Sequence, residues 1–167
     1  AEDNESNYGQ FKLHVLDPLR ISPQQIHAMP GNLPPVEAAQ KYANELFNWS
    51  EDGQEYPRFD WVLLGMGKDG HTASLFPGQM EAMNKSQVVM AVHSAYEDRP
   101  AERITLTPRI INLARQVVFM VSGAGKANIL KQVLLGEYHP NQFPAQSIQP
   151  VDGRLVWMLD QAAASLL

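Results

Sequence analysis

The run Phe59-Asp60-Trp61-Val62-Leu63-Leu64, followed at once by three glycines in six residues, constrains this chain more than any other stretch. A short, nearly continuous apolar run suits a strand covered on both faces, as in a parallel sheet. The loop Gly65-Met66-Gly67-Lys68-Asp69-Gly70 can then turn sharply and bring bare backbone close to a ligand. Residues 87–93, 103–106, 116–121 and 155–158 read as further strands. Residues 108–114 and 126–134 read as helices. Pro108 stands at the first helical position of the former, where its missing N–H costs nothing, with Thr107 as N-cap. An earlier helix follows the loop Pro30-Gly31-Asn32-Leu33-Pro34-Pro35. It is signalled by the apolar stripe Ala39, Tyr42, Ala43, Leu46 and Phe47, and it ends before Glu51-Asp52-Gly53. The segment from Trp157 to Ala163 reads as an edge strand running into a terminal helix. Strands alternating with helices predict one α/β domain over residues 1–167, built on a mostly parallel sheet.

Composition narrows the function. With 167 residues, 44% of them hydrophobic, the chain can bury a core without disulfides or metal. A net charge of -5 argues against a nucleic-acid partner, whose phosphates need a basic face. There is no cysteine, which removes disulfides, Cys-ligated zinc, iron–sulfur clusters and thiol catalysis together and fits a reducing cytosol. No apolar run approaches the length of a membrane span. The acidic start Ala1-Glu2-Asp3-Asn4-Glu5-Ser6 is not a secretory signal, and the missing initiator Met suggests processing or a piece of a longer chain.

Ligands of open α/β sheets bind beyond the carboxyl ends of the strands, which directs attention to the loops after Leu64 and Val121. In the first, His71 stands at the strand's exit with Asp69 two residues before it. An imidazole is the usual general base near neutral pH, and a carboxylate can orient it or meet a substrate. The other histidines, His14, His27, His93 and His139, have no ligand-like spacing to His71, so no metal site is expected. The second loop, Ser122-Gly123-Ala124-Gly125-Lys126, leads into a helix. It is not the nucleotide-binding Gly-x-x-x-x-Gly-Lys-Ser/Thr pattern, because Met120 and Ala127 stand at two of its required positions. Lys126 is either a phosphate ligand or a solvated lysine at a helix start. Arg99, Arg103 and Arg109 bracket one strand, and each is either a phosphate ligand or a surface ion-pair partner.

The stretch from Leu64 through Gly65-Met66-Gly67-Lys68-Asp69-Gly70-His71-Thr72-Ala73-Ser74-Leu75-Phe76 to Pro77 resembles the signature of the 6-phosphogluconolactonase family of the pentose phosphate pathway. Ser6-Asn7-Tyr8, Arg103-Ile104-Thr105-Leu106-Thr107, Ile111-Asn112-Leu113-Ala114, Ser122-Gly123 with Lys126-Ala127, and Pro144-Ala145 resemble other family segments in the expected order. Related glucosamine-6-phosphate deaminases share the Gly-x-Gly-x-Asp-Gly-His part but continue with a catalytic Glu. Here Ser74-Leu75-Phe76-Pro77 has no acid. Family members also begin with a strand and a phosphate loop that this chain lacks, about the first third of the domain. The expectation is a partial domain with apolar sheet surface left uncovered.

The resemblance implies a Rossmann-like α/β fold, a mostly parallel sheet with helices on both faces, without the family's N-terminal strands. It implies a cytoplasmic enzyme that hydrolyses 6-phospho-D-glucono-1,5-lactone with no cofactor or metal and with this small phosphosugar as its partner. His71 is then the general base and Asp69 its orienting group. Gly65, Gly67 and Gly70 form the loop at the reacting carbon, while Lys126 and Arg103 are ligands of the phosphate. Two other readings remain: a non-catalytic phosphosugar-binding or truncated domain, and a deaminase-like aldose–ketose isomerase.

Overall fold

In the computed structural model, residues 6–50, 54–81, 83, 86–95 and 101–167 are described. Three strands form a parallel sheet: β1 (Trp61–Leu64), β4 (Gln116–Val121) and β5 (Arg154–Leu159), in the order β1-β4-β5. The register sets Leu64 beside Phe119 and Phe119 beside Trp157. The two aromatic rings stack with centroids 4.0 Å apart and planes 4° from parallel. Such a pair contributes about 0.5–1.5 kcal/mol beyond the area it buries.

Side chains alternate across the sheet. Val62, Leu64, Val117, Phe119, Val121 and Trp157 share a core cluster with Leu130 and Val133 of helix α4 (Ala127–Leu135). On the other side Trp61, Leu63, Met120 and Met158 are all more than half exposed. The expectation of a strand covered on both faces is thus corrected for β1: Val62 and Leu64 meet the core, while Trp61 and Leu63 are exposed.

The strands β2 (Val89–His93) and β3 (Glu102–Leu106) pair antiparallel, as a two-stranded sheet apart from the first. Helix α2 (Pro35–Asn48) packs on them through Ala39, Leu46, Tyr42 and Ala43, against Val88, Val89 and Ile104. Phe47, the last residue of its predicted stripe, is exposed. A short helix, α1 (Asn7–Phe11), opens the described chain. The Ser6 hydroxyl accepts from Gly9 N–H at 2.9 Å, and a π-helical turn (Lys12–Leu16) follows.

Two local expectations are corrected. Thr107 precedes helix α3 (Pro108–Ile111) in extended conformation, but its hydroxyl does not cap the helix. It donates instead to Gln87 O at 2.7 Å and so ties the helix start to the segment entering β2. The end of the chain is not a helix: residues 161–166 form turns. The Asp160 carboxylate holds the turns through Ala163 N–H at 2.7 Å.

Candidate active site

Because β1 and β4 are parallel neighbours, their carboxyl ends lie side by side, and so do the two loops that leave them. The second loop enters α4 through a 3-10 turn (Ala124–Lys126). Lys126 reaches across and its Nζ donates to Met66 O at 2.6 Å. Gly123, at φ +91, supplies the turn, and its N–H donates to both carboxylate oxygens of Asp160, at 3.1 and 2.9 Å. Asp160 follows β5, so all three strands fix the position of Lys126. Reading the sequence gave no role to Asp160. Its signal is weak, because a carboxylate just after an edge strand is usually solvated.

The first loop is folded on itself. Gly67 N–H donates to His71 O at 2.8 Å and Gly70 N–H to Gly67 O at 3.2 Å. The buried Thr72 hydroxyl donates to Gly65 O at 2.8 Å. Asp69 Oδ1 accepts from the backbone N–H of His71 at 3.1 Å and lies 2.6 Å from His71 Nδ1. A carboxylate only accepts, so Nδ1 is the donor in this contact, and in the neutral imidazole the lone pair is then on Nε2. The imidazole is only 15% exposed.

The glycines of this loop differ in what a side chain would meet. A Cβ on Gly67 would overlap the His71 ring and stand 2.5 Å from Asp69 Oδ1. At Gly70, φ is +82 and a Cβ would press on Phe143 and Ile129. At Gly65 a Cβ would meet nothing within 4 Å, so its conformational freedom is not what the fold demands there. Ala73, by contrast, holds φ +50 with a side chain present. The next residue, Ser74, donates its N–H to the buried Thr105 hydroxyl of β3 at 3.1 Å.

These parts surround a cleft of about 650 Å³ whose lining includes Gly65, Gly67, His71, Ser74, Thr105 and Lys126. Asn7 and Met29 close it from the amino-terminal segment. A larger cavity of about 1060 Å³ lies elsewhere, among Arg109, Tyr138 and His139. Size does not decide between them. Only the smaller cleft is flanked by both strand-exit loops, the place where an α/β sheet presents its chemistry.

Of the residues expected at the site, His71, Gly65, Gly67 and Lys126 line this cleft, with Asp69 behind His71. Gly70 packs away from it. Arg103 is not among the lining residues: its guanidinium lies over the Phe76 ring, 5.3 Å from the centroid. Arg109 pairs with Glu55 at 2.9 Å and belongs to the other cavity. Arg99 lies outside the described residues. Among the described residues, no helix is long and apolar enough to cross a membrane, and no group of three or more His, Asp or Glu side chains is placed to hold a metal ion.

Comparison with known proteins places the chain in a family. Residues 1–157 match the family model described as glucosamine-6-phosphate isomerases/6-phosphogluconolactonase. The 6-phosphogluconolactonase of Homo sapiens is 40% identical over 163 residues, covering 98% of this chain and 62% of that protein. The 6-phosphogluconolactonase of Synechocystis is 41% identical over 165 residues, covering 98% and 67%. Among solved structures, the crystal structure of the devB protein superposes with a TM-score of 0.86 at 31% identity, over 98% of this chain and 68% of that one. The chain thus spans a little under two thirds of the human relative it matches.

Proposed function

The chain belongs to the glucosamine-6-phosphate isomerase/6-phosphogluconolactonase family, and we propose that its cleft serves the hydrolysis of 6-phospho-D-glucono-1,5-lactone. The observation that carries this reading is the pair His71–Asp69, at 2.6 Å, in a cleft that also holds Lys126.

A lactone is an activated ester, so its hydrolysis needs a base, support for the oxyanion, and positioning. The Nε2 lone pair of His71 takes a proton from water as the water oxygen bonds to C1. The carbonyl oxygen becomes the oxyanion. Collapse of the adduct breaks the bond from C1 to the ring oxygen, and the imidazolium returns its proton to that oxygen. The product carboxylic acid then loses its proton to solvent. Asp69 keeps Nδ1 protonated throughout and stabilises the imidazolium. The N–H groups of Gly67 and Gly70 are committed within the loop, so the oxyanion is left to other backbone donors of the cleft lining. Lys126 binds the phosphate and thereby places C1 over His71. The absence of an acid in Ser74-Leu75-Phe76-Pro77 favours hydrolysis over the isomerase reading.

The test is lactone hydrolysis by this chain, with the substrate generated in situ and the product followed through a coupled dehydrogenase. A rate above the spontaneous one is expected, with His71→Ala lowering turnover about 10²–10⁴-fold. A folded chain with no rate above background, or a variant that keeps the rate, refutes the proposal.

A further inference from the structure

Phe76 is almost fully buried, and its ring lies against the imidazole of His71 with centroids 4.8 Å apart and planes tilted by 38°. The guanidinium of Arg103 lies over the same phenyl ring, and its Nε and Nη2 are buried. Arg103 of β3 and His71 at the cleft therefore both pack against the Phe76 ring. The imidazole meets this ring on one part of its surface and the bare Cα of Gly67 on another, where no side chain would fit. Asp69 supplies the polar contact at Nδ1.

A hydrogen bond to an aspartate does not by itself stop an imidazole from rotating about its own side-chain bonds. Rotation would carry Nδ1 off the carboxylate and release the choice of which nitrogen carries the proton. Packing that fills the space beside the ring removes this freedom. The aromatic contact also has a preferred geometry, and a cation over the phenyl face is attracted to it and holds it in place.

We propose that Phe76 is a positioning residue for His71, and that Arg103 acts by backing Phe76. This rests on the lactonase reading for its effect on rate, but its effect on the imidazole can be read without any substrate. The experiment compares the full chain with Phe76→Leu, which keeps apolar bulk without a flat ring, and Phe76→Tyr, which keeps the ring. Histidine-selective nitrogen NMR, at a pH about two units above the ordinary imidazole range, reports the His71 tautomer. Turnover and KM are measured beside it.

Wild type and Phe76→Tyr are expected to show His71 as the Nδ1–H tautomer. Phe76→Leu should show a mixture, with kcat about ten- to a hundredfold lower and KM nearly unchanged. A folded Phe76→Leu with the wild-type tautomer and wild-type kcat overturns the proposal. If Phe76→Leu does not fold, Arg103→Met carries the test, since it leaves the ring and removes the cation. A partial shift toward mixed tautomers supports the proposal, and unchanged His71 signals overturn it. Should His71→Ala itself leave the rate unchanged, the lactonase reading fails, while the tautomer signals still decide whether Phe76 orients His71.

Discussion

His71 Nδ1 stands 2.6 Å from Asp69 Oδ1, and the same oxygen accepts from the His71 backbone N–H at 3.1 Å. One carboxylate oxygen thus fixes both the ring and the chain that carries it. Replacing Asp69 with Asn keeps the shape but offers an amide that can present a donor to Nδ1 and so favour the other tautomer. The expected result for Asp69→Asn is a fall in kcat of at least about tenfold, with KM little changed, because the group that is lost orients the base without binding the substrate. Steady-state kinetics on the coupled assay check this, and an unchanged kcat would remove Asp69 from the mechanism.

Gly67→Ala tests the packing behind the ring. The new methyl would occupy the space now held by His71 Nδ1 and Cε1. Either the imidazole or the loop must move, and a displaced base loses on the order of 10²-fold in rate. The variant should retain wild-type far-ultraviolet circular dichroism, because the strain falls on a loop and not on β1. Turnover close to wild type would show that the loop has slack that the geometry does not suggest.

Asp160→Ala removes the acceptor of Gly123 N–H and of Ala163 N–H. Each is a capping-type contact, and the loss of such contacts costs about 0.5–2 kcal/mol. The loop carrying Lys126 is loosened as well, so KM should rise while kcat is largely kept. Urea unfolding and initial rates test the two halves separately. An unchanged KM would mean that the bond from Lys126 to Met66 O is enough to place the ammonium.

Ala73→Gly should act in the opposite direction on stability. An L-residue at φ +50 carries about 1–2 kcal/mol of strain, whereas glycine carries little. The greater freedom of glycine in the unfolded chain takes back about 0.5–1 kcal/mol. A gain of up to about 1 kcal/mol in unfolding free energy is expected. A loss would show that the Ala73 methyl, which lines the cleft, contributes more by packing than its backbone costs.

Much of this architecture was legible in the residues because it is local. The apolar run before Gly65 became β1, residues 116–121 became β4 without adjustment, and the stripe from Ala39 to Leu46 became the buried side of α2. His71 and Asp69 were legible together because a single residue, Gly70, separates them within one tight turn. Strand partners were not. Nothing in the periodicity of residues 89–93 and 102–106 says that they pair with each other, antiparallel and away from the main sheet. The contact of Arg103 with Phe76 was not legible for the same reason: what a guanidinium meets depends on where its strand lands. Asp160 escaped notice because its acceptors serve N–H groups in a loop that is distant in the chain. The alanine-rich residues 161–166 resembled a helix in propensity but form turns.

The parallel pairing of β1, β4 and β5 also bears on the order in which the molecule assembles. No two parallel neighbours can be joined by a tight turn, so Trp61 finds Gln116, and Gln116 finds Arg154, only after long stretches of chain have closed. The antiparallel β2–β3 pair makes its contacts across shorter spans. Non-local contacts slow folding. The wall of the cleft that contains Thr105 can therefore be in place while the loop bearing His71 is still searching for its neighbour, and the reactive constellation becomes a late product of folding.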